Sequence, residues 1–323
     1  MAYARDEILD WVERGRIAPE KLRGALQISG VLPSANDWRD FVERCLLWIG
    51  VVFVVCGAIF FFAYNWNTLG RYSKLAIVEV AIVLALGFVW WLGLERAAGR
   101  AALLATALLV GALLALIGQI YQTGADTFEL FGIWAAAILP WVLVGRFAAL
   151  WIVWIAIVNL AITLYFQAIG GIFGLLFGPA RQLWLLLVLN TAALVIWEVC
   201  AALGVAWLRE RWATRLLATA SGAFATALAL FDIVDWRSAG GFGVPVWIAW
   251  LACAYVVYRH RIKDIFVLAG GVLSIIVVGS VFLSKHLLRS EHAFAFLLIG
   301  VIVIAMSAAC GWWLNHVARQ EDV

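Results

Sequence analysis

Long apolar segments separated by short polar stretches constrain this chain more than any other feature. A segment of about 20 apolar residues is long enough to cross the roughly 30 Å hydrocarbon core of a bilayer. Ten segments approach or reach this length, and Glu79 and Glu198 are the only formally charged side chains inside them. The segments are 46–64, 75–94, 101–121, 130–145, 147–166, 182–203, 216–231, 244–258, 265–283 and 293–315.

This pattern predicts an all-α fold, namely a polytopic bundle of transmembrane helices with about ten spans. Segments 130–145, 216–231 and 244–258 are short for a crossing and need a locally thinner bilayer or snorkelling flanks. Eight spans is therefore the alternative count. An even number of spans places both chain termini on the same side of the membrane.

Composition excludes a water-soluble protein. Of the 323 residues, 66% are hydrophobic and 13% are charged, whereas a soluble domain has about 45–50% apolar and roughly 25% charged residues. The five cysteines are scattered without a CxxC pair, so neither a disulfide framework nor a metal site is predicted. No basic face with interleaved aromatic residues is present. We therefore expect no nucleic-acid partner, no metal and no cofactor, and a membrane lipid as the first partner.

The distribution of lysine and arginine predicts the orientation. With ten spans, 17 of the 23 Lys and Arg residues lie on the side that holds both termini, and 6 lie on the other side. The positive-inside rule then places both termini in the cytoplasm. The predicted protein is a multi-pass protein of the inner (cytoplasmic) membrane. It consists of a cytoplasmic head (1–44), a transmembrane domain (45–316) and a short cytoplasmic tail (317–323).

The head is predicted to form a short helical hairpin. Residues 4–29 carry two apolar stripes, with Gly15 as a stop between them and Pro19 at the start of the second helix. Asn36 or Asp37 is then positioned to cap a helix that runs from residue 38 into the first span. One interpretation is a docking module for a protein partner. The other, which we favour because some 45 residues cannot build much core, is a hairpin lying on the membrane or on inner loops.

Polar residues concentrate at the outer ends of two predicted spans. The first span ends in Tyr-Asn-Trp-Asn at 64–67, and the third ends in Gly-Gln-Ile-Tyr-Gln-Thr-Gly-Ala-Asp at 118–126. One interpretation is structural: Asp126 caps the next helix together with Glu129, and the aromatic residues form an interfacial belt. The other is a polar pocket open to the outside. Its candidate ligand-binding residues are Asn65, Trp66, Glu79, Gln119, Tyr121, Gln122 and Asp126.

These motifs also carry a family resemblance. The chain resembles the prokaryotic membrane proteins grouped as domain of unknown function 2157, over about its first 150 residues. The resemblance implies a membrane protein, and the family supplies no established reaction or ligand. The residues that carry it are Leu9, Trp11, Gly15 and Ile17 in the head, Asn65-Trp66, the stretch 118–126, Leu130-Phe131, Trp134-Ala135 and Leu139-Pro140.

Polar side chains inside the spans predict contacts between helices. Asn159 and Asn190 lie at similar depths in neighbouring antiparallel spans, where they are expected to hydrogen-bond across the helix interface. Glu198 lies near the cytoplasmic end of its span, within reach of Arg209 or Arg211. Both features favour a structural function over a proton pathway.

Three functions remain open on the sequence. The leading hypothesis is a non-enzymatic protein that binds a small molecule, a lipid or a protein partner through the outer-face polar residues. The first alternative is a secondary transporter that uses Glu79 and a glycine-rich re-entrant loop at 167–181. The second is an integral-membrane enzyme acting on lipid-linked substrates. No catalytic residue is assigned, because the sequence contains neither an HExxH nor a GxSxG motif.

Overall fold

A computed structural model describes residues 2–64, 70–122, 124–168, 179–234, 241–287 and 293–321. In these ranges the chain forms twelve α-helices and no strand. The helices are α1 (Ala2–Glu13), α2 (Leu22–Ile28), α3 (Ala35–Tyr64), α4 (Arg71–Leu92), α5 (Ala97–Tyr121), α6 (Thr127–Gly145), α7 (Ala148–Ala168), α8 (Pro179–Ala202), α9 (Arg211–Val234), α10 (Gly243–Val256), α11 (Ile265–Leu287) and α12 (Ala293–Glu321).

The predicted transmembrane segments fall on these helices. Each of the ten segments falls, to within two residues at its ends, on one of the helices α3 to α12. Among the described residues, eight helices are long and apolar enough to cross a membrane, namely α4 to α9, α11 and α12. Helix α10 has 14 residues and continues into a π-helical turn at Val257–Arg261. The prediction of an all-α, multi-pass membrane protein is confirmed.

The head forms the two predicted short helices. Helix α1 ends before Gly15, whose φ of +69° is a left-handed conformation that glycine adopts without steric cost. A 3₁₀ turn at Pro19–Lys21 leads directly into α2. The two helices contact each other, as expected for a hairpin.

The start of α3 differs from the prediction of a cap at Asn36 or Asp37. The backbone N–H of Ser34 donates to Asp37 Oδ2 at 2.8 Å, and the N–H of Asp37 donates to Ser34 Oγ at 3.2 Å. This reciprocal arrangement is a capping box, and it makes Ser34 the cap. Hydrogen bonds from the Ser34 hydroxyl and N–H hold the pKa of Asp37 below its ordinary value.

The chain divides into two compact units. Unit 1 comprises residues 1–109 and 318–323, and unit 2 comprises residues 110–317. Unit 2 contains helices α6 to α11 in full. Helix α9 is its central element, because it contacts α7, α8, α10 and α11.

Small side chains allow this close packing of α9. The residues buried along α9 recur every three or four positions and are mostly small; they are Ala213, Thr214, Leu217, Ala218, Ser221, Ala225, Leu228, Ala229 and Asp232. A Cβ atom added at Gly222 would lie 2.8 Å from the ring of Trp250 on α10. Small residues in membrane helices permit such close approach. The packing of α9 therefore depends on this composition.

Asp232 connects α9 to the beginning of α10. Its side chain is buried, and its Oδ2 accepts a hydrogen bond from the backbone N–H of Val244 at 3.0 Å. Its Oδ1 has no hydrogen-bond partner among the described residues. The carboxylate thus satisfies one of the free N–H groups at the start of α10.

Polar pairs join neighbouring helices at membrane depth. Asn190 Nδ2 donates to Asn159 Oδ1 at 2.6 Å, and Asn159 Nδ2 donates in return at 3.3 Å. The predicted contact between these two residues is confirmed, and it joins α7 to α8. Ser221 on α9 accepts from Trp250 Nε1 at 2.8 Å and bonds to the Thr191 hydroxyl of α8 at 2.6 Å.

Candidate functional site

Five polar residues at one end of unit 2 form a charged cluster, here defined as Glu198, Arg211, Arg215, Tyr258 and Asp264. Arg211 bridges its two acids: Nη1 lies 3.2 and 3.3 Å from the Glu198 oxygens, and Nη2 lies 3.0 Å from Asp264 Oδ2. The Tyr258 hydroxyl donates to Glu198 at 3.0 Å. The cluster thus ties together α8, α9, the π-helical turn and the start of α11. Of the two arginines predicted to lie within reach of Glu198, Arg209 and Arg211, the structure pairs Arg211 with it.

Asp264 is the most constrained member of the charged cluster. It is only 4% exposed, accepts from Arg215 Nε at 3.1 Å, and caps α11 by accepting the N–H of Phe266 at 3.1 Å. Burial raises the pKa of Asp264, but hydrogen bonds and positive charge from Arg215 and Arg211 outweigh burial and hold this pKa below its ordinary value of 3.8. Asp264 is therefore an ionised structural carboxylate.

A groove between α9 and α11 begins beside this cluster. It has a volume of about 560 Å³. Its polar side chains are Thr219, Thr226 and Ser274, and the last two share a 2.6 Å hydrogen bond. The residues that line this α9–α11 groove are Ala218, Thr219, Gly222, Ala223, Thr226, Ala227, Leu230, Trp250, Phe266, Val267, Ala269, Gly270, Leu273, Ser274 and Val277.

The α9–α11 groove is open at the surface of unit 2 and elongated. Phe266 and Leu273 are 52% and 61% exposed. On α9 the lining extends to Leu230, eleven residues beyond Thr219, and on α11 it extends from Phe266 to Val277, also eleven residues. At a rise of about 1.5 Å per residue, each wall is roughly 16 Å long. This length is about half of the roughly 30 Å hydrocarbon core.

Arg215 lies at the end of the groove. Its Cζ atom is 5.5 Å from the centroid of the Phe266 ring, and its backbone carbonyl accepts from the hydroxyl of Thr219 at 2.8 Å. Both of these partners line the groove. The α9–α11 groove is therefore apolar along its length and has a guanidinium at one end.

The predicted outer-face residues fall into three groups. Asn65 and Trp66 lie outside the described residues, as does most of the glycine-rich loop 167–181. Glu79 is exposed on α4 of unit 1. The remaining four candidates are exposed in unit 2, at the end of α5 and before α6; they are Gln119, Tyr121, Gln122 and Asp126. That all seven residues line one pocket stays a prediction.

Two features of the segment before α6 bear on its interpretation. Asp126 occupies the N-cap position of α6, as predicted, but its side chain makes no cap hydrogen bond. Gln122 has a φ of +46°, in the left-handed region that non-glycine residues seldom adopt. In the described ranges no group of three or more His, Cys, Asp or Glu residues is arranged to hold a metal ion.

The sequence did not reveal the groove or the function of Asp264. The groove depends on how α9 and α11 are rotated against each other, which hydropathy does not specify. A signal for Asp264 was present, since an acidic residue directly before an apolar run is typical of a helix cap. Its arginine partners, about 50 residues earlier in the chain, left no local pattern.

Comparison with protein families supports the resemblance. Residues 9–151 match the family model described as predicted membrane protein (DUF2157). The predicted resemblance to the DUF2157 family is thereby confirmed from residue 9 of the head through helices α3 to α6 and into the start of α7. The charged cluster and the α9–α11 groove lie beyond the matched region. No significant match was found among the curated proteins or among the solved structures.

Proposed function

We propose that this integral membrane protein is a non-enzymatic lipid-binding protein whose α9–α11 groove holds an acyl chain. The observation that carries this proposal is the groove itself, which is apolar, open at the surface and about one bilayer leaflet long. A membrane lipid combines an apolar chain of that extent with a polar head. The groove offers an apolar surface for the chain, and the charged cluster beside one end of it offers polar groups for the head.

The source of affinity follows from the membrane environment. An acyl chain gains no hydrophobic free energy by moving from bilayer to groove, because both surroundings are apolar. Binding therefore depends on the fit of the chain between the two helices and on polar contacts at the charged end. We infer a selective site for one kind of lipid, rather than general solvation by the bilayer.

The predicted orientation of the chain in the membrane agrees with a lipid bound in the groove. With both termini in the cytoplasm and the protein in the inner membrane, the charged cluster lies at the cytoplasmic surface. The groove then extends from that surface towards the middle of the bilayer, so that it accommodates a lipid of the inner leaflet.

Filling the groove tests the proposal. Gly270 lies in the groove wall, and a Cβ atom added there would meet no atom within 4 Å. We expect the leucine side chain of Gly270→Leu to fill the α9–α11 groove. A phospholipid that carries a photoreactive acyl chain should then no longer crosslink to α9 and α11. Mass spectrometry of the crosslinked peptides from protein in nanodiscs measures this.

Gly132→Leu is the matched control. Gly132 is also an exposed helical glycine whose added Cβ would meet nothing within 4 Å, but it lies on α6, outside the groove. Replacement of a helical glycine raises helix propensity in both variants, so neither is expected to unfold. Equal crosslinking of α9 and α11 in the wild type and in both variants would reject the groove as the lipid site.

A second candidate function is ligand binding by the outer-face residues. The left-handed backbone at Gln122 favours it, because strained conformations concentrate at functional sites. The exposed Asp126 carboxylate, free of a cap hydrogen bond, is a further potential contact. This hypothesis requires that both residues face the compartment opposite to the termini. The transporter and enzyme alternatives have no comparable support from the described residues.

A further inference from the structure

Arg215 has binding capacity that its ion pair does not use. Its hydrogen bonds to Asp264 are made by Nε alone, at 3.1 and 3.3 Å. Its two terminal nitrogens have no partner among the residues that the structure describes, and its side chain is 45% exposed. Arg211, by contrast, uses both terminal nitrogens and Nε on Glu198 and Asp264.

We propose that Arg215 binds the phosphate of an anionic phospholipid whose acyl chain lies in the α9–α11 groove. This inference rests on the proposed function and specifies its ligand class. The two terminal nitrogens of a guanidinium form a planar fork that binds two phosphate oxygens at once. A phosphate at that fork completes the hydrogen bonding of Arg215 without displacing Asp264.

The neighbouring contacts hold this fork in place. The bond from Nε to Asp264 fixes one edge of the guanidinium, and its Cζ atom lies over the Phe266 ring. Asp264 is itself held by the N-terminus of α11 through the N–H of Phe266. The free edge of Arg215 is thus positioned before any lipid arrives, which lowers the entropy cost of binding.

Charge selects an anionic headgroup over a zwitterionic one. The charged cluster contains two arginines and two acids, whose formal charges cancel. The turn before α11 adds Arg261 and Lys263, both exposed. The surroundings of Arg215 are therefore net positive, which favours a headgroup whose phosphate charge is not compensated and disfavours one that also carries an ammonium group.

The position of the headgroup agrees with the depth of the groove. Phe266 is the second residue of α11, and the groove begins there. A lipid whose phosphate contacts Arg215 directs its chain along a wall of roughly 16 Å, about the thickness of one leaflet. Headgroup and chain are thus both placed as in an inner-leaflet phospholipid.

The experiment compares two phospholipids and two arginine variants. Purified protein is titrated with phosphatidylglycerol and, separately, with phosphatidylethanolamine, and bound lipid is counted by native mass spectrometry. Arg215→Gln is expected to weaken phosphatidylglycerol binding about tenfold or more, because it removes a charge-assisted bidentate contact to the phosphate, and to weaken phosphatidylethanolamine binding less. Arg209→Gln removes the same charge from an exposed position outside the groove, so it measures the general effect of surface charge and is expected to weaken phosphatidylglycerol binding clearly less than Arg215→Gln does.

A second variant separates binding from folding. Arg215→Lys keeps a cation beside Asp264 but lacks the fork, so we expect a folded protein with a reduced preference for phosphatidylglycerol. Unchanged preference in both Arg215 variants would overturn the headgroup assignment and leave the groove proposal intact. Phosphatidylglycerol binding that survives Gly270→Leu would instead reject the groove as the lipid site.

Discussion

At the scale of single residues, Asp264 connects helices α9 and α11 with one carboxylate. Its carboxylate accepts hydrogen bonds from Arg211 and Arg215 of α9 and from the N–H of Phe266 at the start of α11, and it is almost completely buried. We expect Asp264→Asn to lower the free energy of unfolding by about 1.5–3 kcal/mol, the range for hydrogen bonds to a charged group. Chemical denaturation in detergent measures it. Asp126→Asn, which removes an exposed carboxylate without a cap bond, is the control and should change stability little.

The same carboxylate predicts a pH dependence. Because the folded-state pKa of Asp264 lies below its ordinary value of 3.8, its stabilisation is present above that value. The stabilisation is lost as the pH falls through the lower folded-state pKa. The difference in stability between the wild type and Asp264→Asn should therefore be constant near neutral pH and shrink below about pH 3.8. A difference that grows on acidification would contradict this assignment.

Single contacts were predictable where sequence position fixes depth in the membrane. Asn159 and Asn190 each lie a similar distance from the adjoining ends of two antiparallel spans, so their contact followed from counting residues. Glu198 and Arg211 are close in the chain and flank a short connection. Asp264 was missed because its partners come from a helix that is distant in sequence.

At the scale of helices, α9 depends on a close approach to α10. The Trp250 ring is held by the hydrogen bond of its Nε1 to Ser221, at 2.8 Å. A Cβ at Gly222 would lie 2.8 and 3.2 Å from atoms of that ring. We expect Gly222→Ala to destabilise the protein by about 1–3 kcal/mol, as overpacking does, and thermal unfolding in detergent to show the loss.

The matched control, Gly132→Ala, is expected to change stability in the opposite direction. Gly132→Ala places the same methyl group on a helix where nothing lies within 4 Å. It should stabilise by up to about 1 kcal/mol through helix propensity. If both variants were stabilised to the same extent, the contact between α9 and α10 would not be as close as described.

Helices were predicted well because the bilayer sets their length and requires their backbone groups to be satisfied internally. Their ends were predicted less well. Helix α3 begins at Ala35, since Ser34 and Asp37 form a reciprocal cap that hydropathy does not report. The π-helical turn after α10 likewise left no signal in the apolar pattern.

At the scale of the whole molecule, the predicted sidedness can be tested by cysteine labelling. In a variant without the five native cysteines, Gln122→Cys and Arg209→Cys each supply one exposed thiol. With both termini in the cytoplasm, a membrane-impermeant maleimide should label position 122 in intact cells and position 209 only after permeabilisation. Labelling of both positions, or of 209 alone, in intact cells would contradict the predicted topology and the outer-face hypothesis.

Burial of Asp232 has a consequence for biogenesis. An aspartate is costly to place in lipid, and its described partner, the N–H of Val244, belongs to the following helix. Helix α9 is also the least hydrophobic of the eight candidate spans among the described residues. We expect the translocon to retain α9 until α10 has been synthesised, so that the two helices enter the bilayer together as a hairpin.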